Sequence, residues 1–293
     1  MTIPHKHSRL PKPLLVFLIL QGVISVLLII AVALLYWPLP AKPTFPHLSI
    51  FQRTISDAAV EDSSRIVRNL FALNDANREL KWEEIGGERW LKAVAWMSES
   101  SWQDHYAQPE SDCDSEAPAC DPEAPDCAPV TPDCRYAEAQ SPPEHIARVW
   151  ITLVPQVQKF CQSLRFDDPS FRLKQYLGLD PNRRYDRFME IWVKPEDVFR
   201  PCVDPEPNDN SCELRMDTRS PPRVKNIDNY VAYFQRIAQE VYTPEGAPWT
   251  RLGYTYDWGY GERGVGASEY IIVPQARFLI AGSYTTEEYC KAD

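Results

Sequence analysis

Histidine is scarce in this sequence, and the motifs of several enzyme classes are missing. Only five of 293 residues are histidine, and just His47, His105 and His145 follow residue 40. The chain therefore has very few histidines that could form the ligand pairs of a metal site, and the HExxH motif of zinc peptidases does not occur. The GxSxG motif of serine hydrolases is absent too. No motif specifies a reaction, and we expect neither a cofactor nor a metal.

Positive charge is also in short supply. The formal net charge is −10, and setting aside the three cations Lys6, Arg9 and Lys12 leaves −13 on the remainder. Binding to nucleic acid or to anionic lipid head groups requires basic patches. We therefore expect no nucleic-acid partner.

One long segment has no charged residue at all. Residues 14–37 are apolar except for Gln21 and Ser25, and they end in Tyr36 and Trp37, an aromatic pair typical of the membrane interface. About 20 apolar residues span a bilayer as a helix, whereas a cleaved signal peptide has only about 7–15. The segment predicts a transmembrane helix with the lipid bilayer as its partner.

The charges and cysteines around this segment predict its orientation. The basic tail 1–13 contains no acid, and all eight cysteines follow the apolar segment. Basic residues stay in the cytoplasm, and cysteine use of this kind favours an oxidising compartment. We expect a single-pass bacterial inner-membrane protein, N-in and C-out, with its main domain in the periplasm. A secretory lumen also fits.

The chain beyond the span divides by composition, and the predicted fold class is α+β. Residues 38–48 form a proline-rich spacer, and residues 49–103 are expected to be helical. Residues 104–143 form an acidic loop rich in proline and cysteine, and residues 144–293 an α+β domain stabilised by disulfides. The expected second helix within 49–103 includes Trp90, Leu91, Val94 and Met97.

Four cysteines in the acidic loop recur every seven residues. They are Cys113, Cys120, Cys127 and Cys134. Proline in every unit excludes a coiled coil, which leaves local disulfides or a soft-metal site. Zinc ligand pairs typically lie about two to four residues apart, so this spacing favours disulfides.

Later segments predict individual elements of the α+β domain. Residues 187–194 read as a strand with Met189, Ile191 and Val193 on one face and Phe188, Glu190 and Trp192 on the other. Residues 227–241 have helical periodicity, and three antiparallel strands follow them. Cys202 and Cys212 bracket a turn-rich loop that a disulfide would close, and Cys161 and Cys290 pair by elimination.

Four stretches in this half carry a resemblance. LKQYLGLDP, MEIWVKPEDVFRPC, PWTRLGYTYDW and GASEYIIVP resemble segments of uncharacterised bacterial envelope or secreted proteins. The resemblance covers roughly residues 145–290 and implies no activity.

Residues 248–270 concentrate aromatic and hydrogen-bonding side chains around five glycines. Such a segment suits a small-molecule or glycan cleft, although the composition favours a β-hairpin whose glycines serve its turn and whose aromatic residues pair across strands. GYGERGVG lacks the lysine and the following helix of a phosphate loop. The candidate ligand-binding residues are Trp249, Arg251, Tyr254, Tyr256, Asp257 and Trp258.

Glu269 is the candidate catalytic residue. Its position before a strand that runs into Val-Pro is similar to the catalytic strand of ADP-ribosyltransferases, and that resemblance implies Arg187 as the dinucleotide contact. The usual paired Glu-x-Glu is absent, because Ala267 stands two residues earlier. A carboxylate pair of Glu190 with Glu269 or Asp257 would instead suit glycoside hydrolysis, if the two groups converged to about 5–10 Å.

The sequence thus favours a structural or binding role in the cell envelope, with an envelope protein, a small molecule or a glycan as partner. The alternative is an anchored enzyme that uses the 248–270 region, either transferase-like or a carboxylate-based hydrolase. The enzyme hypothesis requires Arg251, Tyr254, Asp257 and Glu269 to share one pocket.

Overall fold

The computed structural model describes most of the chain beyond the spacer. The described residues are 46–107, 136–143, 145, 147–164, 168–217, 219–260 and 264–291. Contacts divide the chain into units 1–45 and 46–293, and every described residue belongs to the second. The segment 14–37 and the four cysteines of the acidic loop lie outside the described residues. Within the described ranges, no helix is long and apolar enough to cross a membrane.

The described part contains ten strands and six α-helices. The strands are β1 (Trp82–Ile85), β2 (Glu88–Met97), β3 (Ala137–Gln140), β4 (Trp150–Leu153), β5 (Arg187–Val193), β6 (Val198–Phe199), β7 (Tyr254–Tyr256), β8 (Val265–Ser268), β9 (Tyr270–Ile272) and β10 (Arg277–Thr285). The helices are α1 (Pro46–Ala58), α2 (Glu99–His105), α3 (Gln156–Ser163), α4 (Ser170–Tyr176), α5 (Tyr230–Val241) and α6 (Thr286–Lys291). The fold of this part is α+β, as predicted.

Eight strands form one sheet, and all its pairings are antiparallel. The order is β3-β10-β5-β2-β4-β9-β6, with β1 paired to β2, while β7 and β8 form a separate two-stranded sheet. Most neighbours are distant in sequence: β9 pairs with β4 and β6, and β10 with β3 and β5. The sheet therefore unites residues that no local pattern connects.

Strand β5 lies in the middle of the sheet and is buried on both faces. Met189, Ile191 and Val193 point into the main core, and Phe188 points into the core on the other face. This alternation was predicted from the sequence and is confirmed.

Helix α5 covers the main core and confirms the periodicity read from the sequence. Asn229 caps its N-terminus, where the side chain accepts a hydrogen bond from the N–H of Ala232. Its buried face consists of Tyr230, Tyr233, Phe234 and Ile237.

Both predicted cysteine pairs among the described residues lie at disulfide distance. The Cα atoms of Cys161 and Cys290 are 5.3 Å apart, and those of Cys202 and Cys212 are 6.3 Å apart. The first pair joins α3 to α6 across a separation of 129 residues. This bond holds the C-terminal helix against the opposite face of the sheet from α5.

The prediction of helix throughout 49–103 was wrong for most of the range between α1 and α2, including the expected second helix. Residues 82–97 form the hairpin of β1 and β2, which turns at Gly86 and Gly87 with φ values of 62° and 78°. Two consecutive positive φ angles are those of the hairpin turn that Gly-Gly favours. Because β2 is buried on both faces, its apolar residues do not alternate, and their spacing mimics that of a helix.

The boundaries of the predicted acidic loop, 104–143, were also wrong. α2 extends to His105, and Ala137–Gln140 forms the edge strand β3 beside β10. The side chains of Arg277 and Glu138 form an ion pair across these two strands. Strand β3 was missed because an edge strand whose inner face is only partly buried needs few apolar residues.

Candidate functional site

The sheet splits where β2 meets β4. These strands pair only at Ala93 with Leu153 and at Val94 with Thr152. Beyond this point β2 stays with β5 as far as Met97, and β4 stays with β9 from its first residue, Trp150. Among the described residues, the next pairs that this register would give between β2 and β4 are not formed, so the two strands diverge.

A cavity of about 430 Å³ occupies this opening. It is open on one side and lined by residues 94–97 of β2 and by residues 148–152 at the start of β4, together with residues 247–249. Its volume falls in the usual range of small-molecule sites, about 300–1,000 Å³. Its aromatic lining consists of Trp96, Tyr106, Trp150, Tyr185, Phe188, Trp249 and Tyr256.

The aromatic walls support one another. The ring of Trp96 lies 5.3 Å from that of Tyr185 and is stacked on Phe188 at 5.3 Å. Trp150 meets Trp249 edge to face at 6.4 Å. Aromatic pairs at these distances contribute about 0.5–1.5 kcal/mol each beyond their burial, so the walls are fixed before any ligand arrives.

Glu269 provides the acidic group of the cavity. It lies between β8 and β9, is 6% exposed, and lines the cavity. Its Oε1 atom is buried and has no hydrogen-bond partner in the described structure. Burial raises the pKa of Glu269 to about 8, and the nearby indole N–H of Trp249 opposes this rise without a hydrogen bond of standard geometry. At neutral pH the carboxyl group is mostly protonated.

The backbone on both sides of Glu269 is fixed by hydrogen bonds to distant segments. The N–H of Ser268 donates to Gln156 Oε1 at 3.1 Å, and its hydroxyl accepts from the N–H of Phe71 at 2.8 Å. The hydroxyl of Tyr270 donates to the carbonyl of the same Phe71. The position of the carboxyl group is therefore set by the fold.

Glu269 is the acid among the described residues that line the cavity, and the guanidinium of Arg148 in that lining has its own partner. Arg148 donates to Glu240 at 2.6 Å, and its guanidinium lies over Tyr233. The described lining also includes His105 and Tyr185, and burial raises the pKa of Tyr185. No described basic side chain forms an ion pair with Glu269.

The structure separates the ligand-binding residues predicted from 248–270. Trp249 and Tyr256 line the large cavity with Glu269, whereas Arg251 and Tyr254 line a second cavity of about 110 Å³, which Tyr256 also borders. The predicted single cleft is thus not formed.

Asp257 and Trp258 have structural partners instead. Asp257 accepts two hydrogen bonds from Arg172, at 2.5 and 2.8 Å, and is 2% exposed. Trp258 packs edge to face against Phe51 and Phe171. The hairpin alternative accounts for this segment in part, because β7 and β8 pair with each other.

Arg187 and Glu269 do not meet, which removes the geometry implied by the resemblance to ADP-ribosyltransferases. Arg187 on β5 pairs with Glu99 and donates to Ser283 Oγ at 3.3 Å. Strands β2 and β4 lie between β5 and β9, so the main chains of β5 and β9 are separated by about 14 Å or more.

The residues of the two proposed carboxylate pairs do not share one cavity. Glu190 is buried in an ion pair with Lys92 at 2.7 Å, and neither Glu190 nor Asp257 lines the cavity that contains Glu269. The hydrolase hypothesis based on either pair therefore loses its geometric basis.

The aromatic lining residues that sequence reasoning did not select for the site include Trp96, Tyr106, Trp150 and Tyr185. Each lies in a different segment, and their proximity depends on the split between β2 and β4. The sequence contains no local signal for that split.

A cluster of three acidic residues near the Cys202–Cys212 pair is close enough together to hold a cation, but two of the three already have protein partners. Asp204, Glu206 and Asp209 bring their carboxylate oxygens within 4.8 Å of one another. Asp209 pairs with Arg200 at 2.6 Å, and Asp204 accepts hydrogen bonds from the N–H of Glu213. Burial raises the pKa of Asp204 to about 6. These contacts give the group a structural explanation.

Searches of protein families, curated proteins and solved structures find no match for this chain. A function for this chain is therefore inferred from the geometry of the cavity.

Proposed function

We propose that this protein is a membrane-anchored, extracytoplasmic binding protein that holds a small, mainly apolar molecule in the cavity between β2 and β4. The observation that carries the proposal is Glu269, a buried acid that lines an aromatic cavity and whose Oε1 atom has no hydrogen-bond partner among the described residues. Buried polar groups are nearly always hydrogen-bonded, and an exception points to a missing partner. A ligand would supply that partner.

The proposed location is supported by the sequence. The uncharged segment 14–37 and the basic tail 1–13 favour a membrane anchor with the domain outside the cytoplasm. The two cysteine pairs at disulfide distance fit an oxidising compartment.

The test is binding of the neutral fluorescent probe N-phenyl-1-naphthylamine to the purified full-length chain. Ala247 lines the cavity, so Ala247→Trp should reduce the probe's affinity at least tenfold by filling the space. The matched control is Ala281→Trp, a partly buried alanine that does not line the cavity, and it should bind like the wild type. Unaltered binding by a folded Ala247→Trp variant would contradict the proposed site.

A second candidate function is acid–base catalysis by Glu269. The observation that favours it is the pKa of about 8, since a catalytic group works best with a pKa near the working pH. The test is to incubate a bound molecule with the wild type and with Glu269→Gln. Turnover by the wild type alone, with binding retained in the variant, would establish catalysis; no turnover by either would exclude it for that molecule.

A further inference from the structure

We propose that the ligand carries an amine or quaternary ammonium group, which binds beside Glu269 within the aromatic walls of the cavity. This inference rests on the proposed binding function and names the chemical class of the ligand. Three features of the cavity lead to it: the charge balance, the aromatic faces and the donor near the carboxyl group.

The charge balance leaves one position open. Glu269 is the acid of the described lining, and the guanidinium in that lining, that of Arg148, is engaged by Glu240. A buried carboxylate is costly unless it is paired. A cationic ligand would supply the pair that the described residues do not.

The aromatic walls suit the same group. Trp96 and Tyr185 form one part of the wall, and Trp150 and Trp249 another. The faces of indole and phenol rings attract cations, and this attraction strengthens to about 2 kcal/mol or more when water is excluded. Rings around one acid are the usual arrangement for recognising an ammonium group.

The donor near Glu269 favours its ionised form. The indole N–H of Trp249 can only donate a hydrogen bond. It therefore stabilises a carboxylate, and it cannot accept a hydrogen bond from the O–H of a protonated acid. Its proximity lowers the pKa of Glu269 against the larger effect of burial. The site is thus prepared for the charge that a cation would induce.

Ligand class determines what happens to the proton of Glu269. A cation favours the carboxylate and expels the proton, whereas a neutral hydrogen-bond acceptor binds the protonated acid and retains it. With a pKa of about 8, roughly 0.9 proton should leave per cation bound at pH 7. The affinity for a cation should rise about tenfold from pH 6 to pH 7 and level off above pH 8.

Other titratable groups face the same space and need controls. They are Arg148, His105, Tyr106, Tyr185 and Tyr256 in the lining, and Tyr242 and Tyr254, whose pKa values the charge of Glu269 helps to raise. Burial raises the pKa values of Tyr106 and Tyr185 above 10, outside the pH range of the test. His105→Gln removes the imidazole of the lining and should leave the pH dependence unchanged.

The experiment compares three indoles of similar size on the full-length chain: tryptamine, indole-3-propionamide and indole-3-propionate. Calorimetry at pH 7 in two buffers with different ionisation enthalpies gives both affinity and proton release. Tryptamine should bind at least tenfold more tightly than the other two, with release of about 0.9 proton. Glu269→Gln should lose this preference and the proton release, while Glu190→Gln, a buried acid outside the cavity, should keep both.

Each alternative outcome is informative. Equal or tighter binding of the amide, or binding of tryptamine without proton release, would overturn the amine assignment and leave the binding function standing. If N-phenyl-1-naphthylamine also fails to bind, the proposed function itself is wrong. If Glu269→Gln does not fold, Trp249→Phe replaces it and should weaken tryptamine more than the amide.

Discussion

The unpaired acid should make the stability of the protein depend on pH in a way that Glu269→Gln abolishes. The folded state raises the pKa of Glu269 from 4.5 to about 8, so it holds the proton more tightly than the unfolded chain does. Stability from this group is therefore complete below pH 4.5 and is lost as the pH rises towards 8.

The magnitude follows from the two pKa values. Each pH unit between them is worth about 1.36 kcal/mol, so the wild type should lose about 4 kcal/mol of unfolding free energy between pH 5 and pH 9 through this group alone. Glutamine has nearly the same shape and no charge to desolvate. The variant should therefore match the wild type near pH 5 and exceed it at pH 9.

The assay is urea denaturation of the oxidised full-length chain at pH 5, 6, 7, 8 and 9. Subtracting the wild-type curve from that of Glu269→Gln cancels the other titrating groups, which the two proteins share. Glu190→Gln is the control. Because Glu190 is buried in an ion pair with Lys92, this substitution should lower the unfolding free energy. Parallel curves for the wild type and Glu269→Gln would refute the assigned ionisation of this group.

Three further changes test the fold around the cavity. Replacing both Cys161 and Cys290 with alanine should lower the unfolding free energy by about 4–5 kcal/mol, since the bond closes 129 residues, and chemical denaturation measures the loss; a loss below 1 kcal/mol would argue against the bond. Asp257→Ala should cost about 3–5 kcal/mol because it removes the buried carboxylate that pairs with the partly buried Arg172, and Arg172→Leu in the same background should recover part of the loss; no recovery would contradict this cause. Leu153→Ala, at a fully buried position beside the split, should cost about 2–5 kcal/mol, and a melting temperature unchanged from the wild type would contradict its place in the core.

Apart from the Cys161–Cys290 pair, which was predicted by elimination, the parts of the fold that sequence reasoning identified are those whose pattern is local. Helix α5 has one buried face and a cap, and β5 alternates its apolar residues between two buried faces. The cysteine pair 202–212 encloses a short turn-rich loop. In each case neighbouring residues carry the information, so one segment was sufficient.

The errors have a common physical origin in pairing between distant segments. Strand β2 looked helical because the cores on the two sides of the sheet bury both of its faces, and β3 looked like loop because only β10 pairs with it. Glu269 was selected from the sequence for its position before a strand. Its aromatic neighbours were missed because the cavity arises from the divergence of two strands far apart in sequence.

The split and the unpaired acid occur at the same place, and both lower stability. Continuing the ladder between β2 and β4 would add backbone hydrogen bonds, and a neutral side chain at position 269 would remove a desolvation cost of a few kcal/mol. Local features that oppose the fold are expected mainly at functional sites, where a ligand compensates for them. Two such features converge on one aromatic cavity, which is a stronger indication of a ligand site than either would be alone.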